Sequence, residues 1–168
     1  MQHLLEATKK ALSDENWYAA LTLALNLPDI CGRLENPKRK SQERYEAWYS
    51  RFVEHVFNFK FSEETHCFLT AADCYALRCA FLHQGEFEIE DQRAREVLTR
   101  ITFRAPHPDD FTHLVSNGKI LHLKADMFCT AVCDGVADWT FAVRTDQEIQ
   151  ERIRRMGRIA LPGGIGYY

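Results

Sequence analysis

Along most of this chain apolar residues return every three or four positions, the period of an amphipathic helix. A first helix is predicted over Gln2 to Leu12, with Ser13-Asp14-Glu15 as a break and a new N-cap. A second runs from about Asn16 to about Asn26 on Trp17, Ala20, Leu21, Ala24, Leu25 and Leu27. Pro28 follows, so Asp29 to Leu34 is expected as a further helical turn, kinked or restarted at the proline. Ser41, Arg44, Tyr45, Trp48, Tyr49, Phe52, Val53 and Val56 define a third helix of at least three turns. A fourth is predicted between Thr70, a cap residue, and Gly85, a stop signal. Met127, Phe128, Ala131, Val132, Val136, Trp139 and Val143 mark a fifth over Ala125 to Val143, weakened in the middle by Gly135. Thr145-Asp146 caps a last helix to about Met156, and LPGGIGYY is a glycine-rich, loosely docked tail.

Elsewhere the period shortens to two. Phe57, Phe59 and Phe61 alternate with Asn58 and Lys60, which predicts a short extended piece leading to Thr70. Val97, Thr99, Ile101 and Phe103 read as a strand stopped by Pro106 and Pro108. Phe111 to Val115 and Lys119 to Leu123 flank Ser116-Asn117-Gly118, an Asn-Gly hairpin signal. The expected fold class is therefore mostly α, one domain over residues 1–168, with a small antiparallel β hairpin or three-stranded insertion at about 97–124 forming a lobe on a helical body.

Charge narrows the partners. With 168 residues, a net charge of -3 and a pI near 6.2, the chain has no global attraction for nucleic acid or an anionic membrane. Phosphate binding must come from a local patch. No run is long and apolar enough to span a bilayer, and MQHLLEATKKAL lacks the order of a secretory signal, so the cytoplasm is the expected compartment. Six cysteines at 31, 67, 74, 79, 129 and 133 form no Cys-x-x-Cys motif and read as reduced core residues. Cys79 and His83 with Cys67 and His66 are one conceivable zinc set; His107, Asp109, Asp110 and His113 are another, although PHPDD reads more simply as a turn. Lys38, Arg39 and Lys40 sit in a polar surface loop that reads as solvated or as a phosphate contact. Arg152, Arg154, Arg155 and Arg158 make the most basic cluster.

Phosphate-loop, dinucleotide, nucleophile-elbow and zinc-helix signatures are all absent. What remains is Arg78 and His83, a cation and an imidazole in the apolar helix Thr70 to Gly85, which the composition predicts to be central and buried nearly all round. They call for partners. One solution is structural: His83 at the negative helix end, Arg78 neutralising Asp73 or Glu46.

The other follows from a resemblance. An arginine, four intervening residues and a histidine in Leu77-Arg78-Cys79-Ala80-Phe81-Leu82-His83, on one helix of a small helical bundle, resembles the signature of the HEPN superfamily. The resemblance covers the helical body, with the β insertion outside it. Family nucleases often carry a polar residue where this chain has Cys79. It implies a HEPN-like bundle and a homodimer whose Arg78 and His83 meet across the interface. The implied activity is metal-independent cleavage of an RNA substrate, without cofactor or metal, in a toxin or phage-defence role with an antitoxin partner. Residues five apart lie about 140° from each other on a helix. The pair therefore requires an unwound end near Gly85 or a second chain. The alternative function is a non-catalytic helical interaction module.

Overall fold

The computed structural model describes residues 1–159, and the tail expected from LPGGIGYY lies outside the described residues. Six helices follow in order: α1 (Gln2–Ser13), α2 (Trp17–Glu35), α3 (Ser41–Phe52), α4 (Ala71–Gln84), α5 (Ala125–Ala142) and α6 (Gln147–Arg154). Between α3 and α4 come a 3-10 turn, Glu54–Phe57, and a hairpin of β1 (Asn58–Phe61) and β2 (Glu64–Cys67). Between α4 and α5 lie β3 (Arg100–Arg104), β4 (Val115–Asn117) and β5 (Ile120–Lys124). The protein is mostly helical, with two small sheets.

Local chemistry sets four of the helix ends. Thr70 Oγ1 accepts from the Asp73 amide at 3.2 Å, Asn16 Oδ1 from Ala19, and Asp146 Oδ1 from Ile149. Gly85 closes α4 at φ +73°, a conformation that costs glycine nothing. Pro28 lies inside a continuous α2 and neither ends nor restarts it. The Asn16 cap and the buried face from Ala20 to Leu34 outweigh one lost hydrogen bond.

The core is centred on α2 and α5, which carry the largest sets of buried side chains. A chain of rings runs from Tyr45 through Tyr49, Phe57, Phe128, Phe103 and Phe87 to Phe81, joining helices to sheet. Two glycines set the helix spacing. A Cβ at Gly32 would meet the Arg44 carbonyl oxygen at 2.6 Å, and one at Gly135 the Phe52 carbonyl oxygen at 2.8 Å, so α2 and α5 both press against α3. The expectation that α4 is central and buried all round is corrected. Ala71, Asp73, Cys74, Ala76, Leu77 and Ala80 are buried, but Tyr75, Arg78, Cys79 and Leu82 form a half-buried stripe.

The sheets differ from expectation in one respect each. The hairpin forms, with β4 antiparallel to β5, but its turn is Gly118-Lys119: Gly118 is at φ +61°, whereas Ser116 and Asn117 belong to β4 and Asn117 does not take the positive φ expected of it. However, β3 pairs parallel with β5, giving the order β3-β5-β4, so the insertion is a mixed sheet and not an antiparallel one. Ile101, Leu121 and Leu123 are fully buried, which places its inner face on the helical core. The extended piece after α3 is a complete hairpin whose exposed Phe59 and Phe61 rings lie against each other at a tilt of 49°. Among the described residues no helix is long and apolar enough to cross a membrane.

Candidate functional site

Asp29 on α2, Arg44 on α3 and Arg78 on α4 meet where three helices converge. Gly32, one turn beyond Asp29, permits the approach of α2 to α3 that makes the meeting possible. Arg44 grips the carboxylate with two nitrogens, Nε to Oδ1 at 2.8 Å and Nη2 to Oδ2 at 3.2 Å, and Ser41 Oγ donates to Oδ1 at 3.0 Å. Such a fork satisfies both charges. Arg78 arrives third: its Nη2 stands 3.6 Å from Oδ2, too far for a hydrogen bond.

Its remaining donors fare no better. The side chain of Arg78 is only 16% exposed, its Nε is buried without a partner, and among the described residues it donates no hydrogen bond. The Tyr75 ring lies 5.9 Å from the guanidinium carbon, a weak cation–π contact. Two cations therefore share one carboxylate, and the second is largely desolvated. An anion reaching the terminal nitrogens of Arg78 would meet donors that hold no hydrogen bond among the described residues, with Asp29 Oδ2 at 3.6 Å as the nearest competing acceptor.

The structural partners expected for Arg78 are corrected. Asp73 is buried, and its carboxylate accepts the amides of Glu96, Val97 and Leu98 at 2.7 to 3.3 Å, tying the charged segment after α4 to the helix start. Glu46 accepts instead from Gln42. Asp29, the true neighbour, carries no sequence signal, because it stands 49 residues before Arg78 on another helix.

His83 is exposed in the last turn of α4. The helix stays regular through Gln84, so Arg78 and His83 stand about 7.5 Å apart along the axis and about 140° around it. Unwinding near Gly85 is thus not how the pair could meet within one chain. Arg78 and His83 bracket the half-buried stripe of Tyr75, Cys79 and Leu82.

The other candidates resolve into structure. Among the described residues no three His, Cys, Asp or Glu side chains are grouped to hold a metal ion. In the PHPDD turn Asp110 accepts from the Thr112 amide and from Arg104, which together hold its carboxyl well below the ordinary carboxylate range. His113 Nδ1 accepts the Lys124 amide at 3.1 Å. On α6, Arg154 and Arg155 both bind Glu151, and Arg152 donates to the Leu34 carbonyl and to Glu148. Burial pushes the Cys74 thiol up to about 12 and Cys133 to about 11, so neither supplies a thiolate near neutrality. A groove of about 270 Å³ between α3 and α5 is rimmed by Asp126, Asp134 and Asp138, the wrong sign for phosphate.

No family model, no curated protein and no solved structure matches this chain.

Proposed function

We propose that this protein is a HEPN-like, metal-independent ribonuclease of the cytoplasm, acting as a homodimer with Arg78 of one chain and His83 of the other in each site. The observation that carries it is the largely buried Arg78 guanidinium with no hydrogen bond of its own. A group so placed is costly in the free protein and gains most when an anion arrives. The partly exposed stripe between Arg78 and His83 supplies a face for the second chain.

In such a site the RNA 2′-oxygen attacks phosphorus and displaces the 5′-oxygen, leaving a 2′,3′-cyclic phosphate and a 5′-hydroxyl. His83 takes the 2′-hydroxyl proton and returns a proton to the leaving oxygen, a role suited to an imidazole near neutral pH. Arg78 holds the non-bridging oxygens through parallel N–H contacts and balances the charge of the pentacoordinate transition state. The test is incubation of wild type, Arg78→Ala and His83→Ala with mixed RNA in EDTA. Cleavage by wild type alone, with cyclic phosphate ends, is expected. Equal cleavage by His83→Ala, or none by wild type at any concentration that forms dimers, contradicts it.

A second function draws on the Asp29 contact. If Arg78 serves only to balance Asp29 and Arg44, the protein is a non-catalytic interaction module, and Arg78→Ala then lowers stability without touching any RNA.

A further inference from the structure

The loop from Asn36 to Lys40 stands beside this site and has no part in it so far. Lys38, Arg39 and Lys40 are exposed, and among the described residues none of them enters an ion pair. The loop is nevertheless fixed. Arg44 Nη1 donates to the Arg39 carbonyl at 3.0 Å while its other nitrogens hold Asp29, so one guanidinium clamps the loop to the place where Arg78 waits. The segment carrying Lys38, Arg39 and Lys40 is thereby tethered to Arg44, which shares Asp29 with Arg78. Against these cations stand Asp29 and Glu43, the latter exposed in the first turn of α3.

We infer that Lys38, Arg39 and Lys40 form the track for the RNA strand, binding phosphates adjacent to the one held at Arg78. This rests on the ribonuclease function above and names its substrate contact: the backbone of single-stranded RNA, recognised by charge. Three consecutive residues span about 10 Å, enough to meet two successive phosphates of an extended strand. The arginines of α6 differ from this loop in that Arg152, Arg154 and Arg155 each already bind a carboxylate of Glu148 or Glu151.

The test separates binding from cleavage by using a labelled single-stranded 2′-O-methyl oligonucleotide of mixed sequence, whose blocked 2′-oxygen cannot attack. Its binding to the full-length protein is followed by anisotropy in EDTA from 50 to 200 mM salt. Each single-strand phosphate contact contributes about 0.7 to the slope of log affinity against log salt. The triple variant Lys38→Gln, Arg39→Gln, Lys40→Gln is expected to lower that slope by about 1 to 2 and to weaken binding at low salt about tenfold, with circular dichroism unchanged. On cleavable RNA it raises KM and leaves kcat. Three outcomes overturn the track: no binding by wild type at low salt, equal binding by the triple variant throughout, or equal displacement by polyglutamate. Loss of binding in the triple variant with no cleavage by wild type removes the nuclease and keeps the track. Cleavage with unaltered binding removes the track and keeps the nuclease.

Discussion

Two groups of arginines lie on this protein, and they differ in how completely their charge is answered. On α6, Arg154 and Arg155 share Glu151 at 2.6 and 3.0 Å, and Arg152 reaches both Glu148 and a backbone carbonyl. Where α2, α3 and α4 meet, Arg44 and Arg78 share Asp29, and Arg44 takes both oxygens. In the more arginine-rich region each ion-paired arginine also holds a hydrogen bond, whereas Arg78 holds none among the described residues. Count of cations is therefore a poor guide to an anion site; the balance of donors against acceptors, and the burial of the donor left over, decide it.

That comparison breaks most sharply at Asp29. Asp29→Asn leaves two adjacent, largely buried cations without their carboxylate and should cost about 3 kcal/mol in urea unfolding. Glu151→Gln, at the exposed pair, should cost under about 0.5 kcal/mol. Similar costs at the two sites would dissolve the contrast.

Gly32→Ala comes next. Its methyl meets the Arg44 carbonyl, so α2 must move away from α3, with a loss of about 2 kcal/mol and weaker RNA binding through the displaced Asp29–Arg44 clamp. A variant as stable as wild type would show that the approach at Gly32 is not tight.

Arg78→Met sharpens the comparison from the other side. Because Arg78 makes no hydrogen bond among the described residues, its replacement by an apolar chain of similar length should change stability by less than about 1 kcal/mol, with complete loss of RNA cleavage. A large loss of stability would assign Arg78 to the interaction module.

The smallest effect lies in the sheet, away from both arginine groups. Burial lowers the pKa of His113, whose Nδ1 accepts the Lys124 amide, so the folded protein holds the neutral imidazole. Its stabilisation is complete above the unfolded value of about 6.5 and is lost as pH falls below it. His113→Asn keeps an acceptor and does not titrate. Its melting temperature should fall less between pH 7 and 5 than that of wild type; identical falls would remove His113 from the account.

Much of the helical plan was legible because it depends on local chemistry. Thr70, Gly85, Gly118 and Asp146 act through neighbours within a few residues, and each does in the structure what its type implies. What could not be read depends on distance. Glu64-Thr65-His66-Cys67 has no apolar alternation, because both faces of β2 are largely open to water. The parallel pairing of β3 with β5 leaves no trace in either strand's pattern. The apolar circumference of α4 suggested burial on all sides, yet only tertiary packing decides which side is covered. At the site, Arg78 and His83 stood out from their surroundings in the sequence, whereas Asp29, Ser41 and Arg44 became visible only when three helices brought them together.

The most direct measurement is cleavage of RNA in EDTA by Arg78→Ala and His83→Ala, alone and mixed, beside wild type. A site shared across two chains leaves each variant inactive. Mixing forms heterodimers with one intact Arg78/His83 site, which restores up to roughly a quarter of the wild-type rate. Cleaving wild type with no recovery on mixing would contradict a site shared between chains, and a wild type that leaves the RNA intact would contradict the ribonuclease itself.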